Sequence, residues 1–337
     1  MRTVARSLCL IVACSFFLAG TSAAARKSPA PLKQEPHLHA EDVLRLEVAL
    51  ERHKSEETVR RGAKVFARFC SVCHGRHGRG DGPAAAELDP APRDLTARQF
   101  RFRTTGSGES PRPEDLERSI RRGLPGSAMP AFWELFSTEE IDDLVAFVYS
   151  LRPGEEAPPE PLRVPAVAQP GPSTLDEGKT IYLVSGCWRC HGVKGAGRGP
   201  SAKGLTDENE QPIRTTDFRY DPFKGGRELE AIVRTLLTGL NGAPMPSYGD
   251  AMLFAREDAE DLSALSDVLT DEARAELTES LRLTPSRAGL DELGDADRLE
   301  LRDRRLAALA HYVLSFSRRK GFFHKLFRDE PEKEGRE

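Results

Sequence analysis

Two cysteines separated by two residues, with a histidine directly after the second, occur twice in this 337-residue chain. They read Cys70-Ser71-Val72-Cys73-His74 and Cys187-Trp188-Arg189-Cys190-His191. Such a pair can be half of a zinc site, a redox dithiol, or the thioether attachment point of a c-type haem. The adjacent histidine favours the last. Two thiols at this spacing reach the two vinyl groups of one porphyrin, and the next residue carries an imidazole beneath the ring, where it can bind iron. Zinc would need four ligands per metal and a reducing compartment. One five-residue match could be chance; two in one chain argue for two covalently held haem c groups, attached through Cys70, Cys73, Cys187 and Cys190 and ligated by His74 and His191.

The second axial position separates an electron carrier from an enzyme. An iron with an open face binds oxygen or peroxide, whereas one with both faces filled only passes electrons readily. Apart from Met1 the chain has three methionines, Met129, Met245 and Met252. Met129 lies 55 residues after His74 and Met245 lies 54 after His191. Each precedes a proline and follows a glycine-rich turn, Gly123-Leu124-Pro125-Gly126-Ser127-Ala128 in one case and Gly239-Leu240-Asn241-Gly242-Ala243-Pro244 in the other. Proline biases the residue before it towards extended backbone, which suits a loop lying across a ring. Met129 and Met245 are therefore the expected axial partners of His74 and His191. Met252 lacks the proline and reads as a packing residue. His37, His39, His53, His77, His311 and His324 are the other imidazoles that could displace a methionine; His77 sits in a glycine-rich loop and reads as exposed, and His311 falls within a helix.

Each motif needs a helix leading in, a loop around the ring and a helix closing behind. A helix is expected from Glu56 towards Phe69, with Val59, Ala63 and Phe66 inward and Gly62 suited to close contact. The stretch Gly75–Pro83 reads as loop. A short helix follows over 116–122 behind the acidic turn Pro113-Glu114-Asp115. Thr138 reads as the N-cap of the closing helix, whose apolar face is Ile141, Leu144, Val145 and Val148. The second half repeats this plan. Gly178 and Tyr182 answer Gly62 and Phe66, and Gly199-Pro200 falls eight residues after its histidine, as Gly82-Pro83 does. Leu309–Phe316 answers Leu144–Leu151. One segment breaks the repeat. The extra 49 residues lie at about 254–302, with leucines at 262, 265, 269, 277, 281 and 283. One or two added amphipathic helices are expected there.

The remaining chain sets the context. Hydrophobic residues make up 39% and charged residues 30%, as in soluble globular proteins. The formal charge is −4, without the basic footprint of a nucleic-acid binder. Residues 1–25 read as an export signal, with Arg2 and Arg6 ahead of the apolar run Leu8–Gly20 and the small residues Ala23-Ala24-Ala25. Its removal takes two arginines and no acid, moving the charge from −4 to −6. Cys9 and Cys14 lie in that signal, so the exported chain has only the four motif thiols. Residues 26–55 form a proline-bearing leader with a short helix over 41–54. Seven of the twenty residues 153–172 are proline, which predicts a polyproline II linker reaching at most about 60 Å and leaving the arrangement of the halves open. Residues 321–337 are a charged tail.

With these features together the chain resembles two class I cytochrome c domains in tandem, over residues 56–152 and 173–316 less the insertion. The resemblance rests on the two Cys-x-x-Cys-His motifs, the two Met-Pro loops, Gly62/Phe66 and Gly178/Tyr182 in the leading helices, and Phe147 and Tyr312 in the closing ones. It implies an all-α fold, domain 1 over 56–152 and domain 2 over 173–320. It implies that leading and closing helices cross at those glycines and aromatics. It further implies single-electron transfer in the periplasm between respiratory partner proteins, with no catalytic residue and no nucleic acid. Two rivals stay open: a dihaem peroxidase, and an electron-transfer subunit of a larger membrane oxidoreductase, held peripherally through the insertion.

Overall fold

A computed structural model of the chain describes residues 56–97, 100–152, 158–167, 169–171, 173–259 and 269–317. The export signal, the leader helix, Leu262 and Leu265 of the insertion and the charged tail lie outside the described residues. Within them the structure is helical, and its one β-type pairing is an isolated bridge between Thr206 and Pro212.

The first half is organised by two crossed helices, α1 (Glu56–Phe69) and the closing helix, joined through the short α2 (Ser71–His74) and α3 (Pro113–Arg122). The closing helix, α4, spans Thr138–Ser150. Gly62 makes the crossing possible: a Cβ there would stand 1.9 Å from the carbonyl oxygen of Asp143 and 2.9 Å from Cβ of Phe147. Phe66 and Phe147 meet one turn on, ring centroids 5.0 Å apart. Arg61 fastens the crossing by donating to both carboxylate oxygens of the buried Asp143, at 2.7 and 2.8 Å. The buried stripe of α1 is Thr58, Gly62 and Phe66, with Val59 and Ala63 only half-buried. It is thus rotated from the expected face, because the helix follows the glycine contact rather than its most apolar side. The expected apolar face of α4 is buried throughout. Its N-cap is Ser137, one residue before the expected Thr138: Ser137 Oγ accepts from the Glu140 amide and the Glu140 carboxylate accepts from the Ser137 amide.

The second half has the same frame in α5 (Thr174–Val184), α6 (Cys187–His191), α7 (Leu229–Thr238) and a longer closing helix. Gly178 would place a Cβ 2.2 Å from the Ala308 carbonyl and 2.7 Å from Cβ of Tyr312, and Tyr182 packs on Tyr312 at 5.5 Å. The insertion supplies α8 (Asp271–Arg282), α9 (Arg287–Glu292) and the first turns of the closing helix α10 (Asp295–Ser315). Leu277 and Leu281 of α8 join the second-half core, whereas Leu283 is turned to solvent. Met252 is fully buried in that core, and the buried Arg305 donates to the carbonyls of Met252 and Phe254 at 2.6 and 2.9 Å. His311 is buried in α10 and His77 is exposed.

The described residues of the proline-rich segment pack on both halves, so they help fix the arrangement that the sequence leaves open. Arg112 donates to the Pro159 carbonyl at 2.5 Å, and the Leu162 amide donates to the Thr104 carbonyl at 2.7 Å. Beyond that point Leu162, Val164 and Val167 pack on the second-half core, and Arg163 pairs with Asp303. Prolines set an extended backbone but leave the intervening side chains available, and here those side chains stitch the segment to both halves.

Candidate functional site

The loop after each motif wraps back over it. In the first half the amides of Gly80, Gly82 and Ala84 donate to the carbonyls of His74, Cys73 and Val72, at 2.9, 3.1 and 3.0 Å. In the second half Gly197, Gly199 and Ser201 donate to His191, Cys190 and Arg189, at 2.8, 3.0 and 2.8 Å. These bonds satisfy the orphan carbonyls of a one-turn helix. They also explain why a glycine falls eight residues after each histidine: a Cβ on Gly82 would sit 2.4 Å from the Val72 carbonyl oxygen, and one on Gly199 2.2 Å from that of Arg189.

Each histidine is then fixed by a backbone acceptor. His74 Nδ1 donates to the Arg93 carbonyl at 2.9 Å, and His191 Nδ1 to the Thr216 carbonyl at 3.1 Å. With Nδ1 as donor, the neutral ring keeps its lone pair on Nε2, the form a metal requires. Burial lowers the pKa of both imidazoles, with the Arg93 and Thr216 carbonyls opposing it, and so favours the neutral form. Phe218 stacks on the His191 ring at 4.2 Å, and Leu95 holds the matching place in the first half. The thiols are half-buried and in no disulfide. Burial pushes Cys70 up to about 11 and Cys187 up to about 12, the reverse of a redox dithiol, whose attacking thiol is acidified.

The methionine loops are built alike. The Leu124 amide donates to the Met129 carbonyl at 3.1 Å, and the Leu240 amide to the Met245 carbonyl at 3.0 Å. Gly123 and Gly239 both sit at φ +63°, with the Met-Pro strand directly over them; a Cβ would lie 2.5 Å from Pro130 C in one case and 2.6 Å from Pro246 C in the other. Both loops therefore close on a glycine that admits no side chain.

All eight expected site residues border one continuous cleft between the halves: Cys70, Cys73, His74 and Met129 from the first, Cys187, Cys190, His191 and Met245 from the second. Among the described residues, the charged side chains lining it are Arg93, Arg101, Arg214 and Lys224, and none is acidic. Arg101 Nε and Thr215 Oγ1 are buried there without a hydrogen-bond partner. Burial, then Arg101 and Arg214, lower the pKa of Lys224, with Asp221 and Asp89 opposing them, and Arg93, Arg101 and Arg214 each also pair with a carboxylate outside the cleft lining, Glu208, Asp207 and Asp221. This donor set fits two haems: thiols and imidazoles at attachment spacing, soft thioethers facing the same space, and cations with unspent donors for four propionates. Arg93 and Arg101 also cross between the halves, Arg93 to Glu208 and Arg101 to Asp207 at 2.9 Å. The carbonyl partners of the histidines and this cation cluster were not evident from sequence. The one trace is the Asp94-Leu95 and Asp217-Phe218 pair following each carbonyl acceptor.

Comparison with known proteins agrees with the two-fold plan. Residues 57–148 match the family model described as cytochrome C oxidase, cbb3-type, subunit III, and residues 175–266 match cytochrome c. A solved chain of the Kuenenia stuttgartiensis reducing HAO-like protein complex Kustc0457/Kustc0458 is similar at 30% identity. The match covers 77% of this chain and 96% of that one, with a TM-score of 0.58.

Proposed function

The chain belongs to the c-type cytochromes, as two cytochrome c domains in tandem carrying two haem c groups, and from that premise we propose that it is an exported relay. One domain takes single electrons from a donor protein and the other delivers them to an acceptor. In this reading Cys70 and Cys73 anchor the first group and Cys187 and Cys190 the second. His74 with Met129, and His191 with Met245, would hold the two irons. Haem supplies a one-electron couple, and its potential rises with a methionine ligand relative to a second histidine. The protein's part is to hold both ligands still. The Arg93 and Thr216 carbonyls orient the imidazoles, and the glycine-backed turns hold the thioethers, so little rearrangement accompanies each electron. Apolar walls from Phe66, Leu144, Ile232 and Leu309 line the cleft and would favour the less charged ferrous state.

The observation that carries the reading is that both histidine–methionine sets border one cleft. The test is a redox titration with near-infrared spectra of the holoprotein. The expected result is a methionine-to-ferric-iron band from each site and two one-electron steps. A high-spin ferric component with peroxide turnover would instead identify a peroxidase with a displaceable ligand.

A second reading concerns assembly. The first domain matches a family named for an oxidase subunit, and the similar solved chain comes from a complex. Both favour a chain that works while bound to a larger oxidoreductase. Export to the periplasm rests on residues 1–25 and on thioether chemistry that spends every thiol outside that signal. Mild-detergent extraction separates the two readings: co-purification with a membrane complex supports the subunit, and a freely soluble monomer supports the shuttle.

A further inference from the structure

Arg103 is among the largest side chains in the protein with no exposure to solvent, and it belongs to the first domain. Its Nε donates to the Gly106 carbonyl at 3.0 Å. Nη2 crosses into the second domain and donates to the Thr238 carbonyl at 2.7 Å, while Nη1 is shared between the Phe100 carbonyl of its own domain at 3.3 Å and the Gly239 carbonyl of the second at 3.4 Å. Those carbonyls end α7, where the helix dipole is negative and its last acceptors lack helical partners. No carboxylate bonds the guanidinium among the described residues; its charge is met by backbone oxygens, with Asp115 and Glu109 acting at longer range.

What Arg103 grips is the foot of the second methionine loop. Gly239 is the glycine over which Met245-Pro246 passes, and the next residue, Leu240, donates its amide to Met245. A second clamp follows immediately. The buried Asn241 accepts from the Gly108 amide at 2.9 Å and donates to the Glu109 carbonyl at 3.1 Å. Residues 103–109 of the first domain thus hold residues 238–241 of the second. The reverse contacts on the Met129 loop are thinner: Arg122 reaches Glu228 at 3.5 Å with both side chains exposed, and Gly126 abuts Pro222.

We propose that Arg103 is a positioning residue for Met245: through the end of α7 and the Gly239 turn, the first domain fixes the axial methionine of the second. The proposal rests on Met245 being a ligand. Removing the clamp frees the Met245 loop to open, while Met129, whose loop has no such buried clamp from the second domain among the described residues, stays in place.

The test uses the full-length holoprotein with Arg103→Met, Arg103→Lys, Asn241→Ala and Met245→His. The readouts are covalent haem content, the methionine-to-ferric-iron band, the two midpoint potentials and the rate of cyanide binding to each ferric site. Arg103→Met is expected to keep both haems. It should speed cyanide entry at one site by about tenfold or more, as losing a charge-assisted hydrogen bond would, and leave the other site unchanged. Arg103→Lys should lie between, and Asn241→Ala should act on the same site, carrying the test if Arg103→Met does not fold. If Met245→His shifts one potential while the Arg103 and Asn241 variants bind cyanide as the parent does, the positioning role is wrong and the ligand assignment stands. Equal acceleration at both sites also overturns it. If Met245→His leaves both potentials and the band unchanged, the ligand assignment itself fails.

Discussion

At the residue scale, the methionines proposed as axial ligands and the glycines beneath them make separate predictions. Replacing Met129 or Met245 by histidine should lower one midpoint potential, by tenths of a volt within the roughly 0.8 V that axial ligands span, and leave the other potential in place, as read by titration. Gly239→Ala puts a Cβ at φ +63° and 2.6 Å from Pro246. Strain of about 1–3 kcal/mol at such a position should displace the Met-Pro strand and remove the second site's near-infrared band while the thioethers stay intact. Tyr182 donates to the Gly192 carbonyl at 2.7 Å beside the second motif; Tyr182→Phe removes that bond, leaves the carbonyl to the Gly195 amide at 3.0 Å, and should cost about 1 kcal/mol in thermal unfolding. The motifs, the paired methionines and their glycines were legible because each is a residue type at a fixed spacing. The acceptors of His74 and His191 were not. They are backbone oxygens 19 and 25 residues away, and any residue type supplies a carbonyl.

At the element scale, the two helix crossings bear the fold. Gly62→Ala or Gly178→Ala would force α1 from α4, or α5 from α10, and should cost about 3 kcal/mol, the upper end of overpacking, seen as a lowered midpoint for that domain. The insertion is structural on its inner face. Leu277 is buried in the second core, so Leu277→Ala should cost about 2–5 kcal/mol and lower the unfolding midpoint of the second domain while sparing the first. Periodicity found these helices and the buried face of α4, since apolar side chains recur there at helical spacing. It misplaced the inward face of α1, where a glycine contact outranks apolarity, and set the α4 cap at Thr138, although the box needs Ser137 three before Glu140. Arg103 could not be found this way, because an arginine reads as surface until its carbonyl partners are known.

At the scale of the whole molecule, the described residues lining the cleft include four cations and no acid, and a cation there would act on both haems. Neutralising Lys224 should therefore lower both midpoint potentials, where a methionine replacement lowers one. A unit charge acting across about 10 Å at an effective dielectric near 20 contributes about 1–2 kcal/mol, so tens of millivolts are expected in a titration of Lys224→Gln. Tandem domains were legible from the repeat. Their docking was not, because it depends on pairs such as Arg93–Glu208 and Arg101–Asp207, more than a hundred residues apart, and on a proline-rich segment whose valines and leucine settle on the second core.

A cleft walled by opposite halves also constrains biogenesis. The four motif thiols are half-buried in the folded chain, so cofactor loading is expected to come before the two halves close on each other. A chain blocked at its second motif by Cys187→Ala and Cys190→Ala should mature with an unsupported flank, and limited proteolysis should cut it in the 158–171 strap that the doubly loaded chain protects.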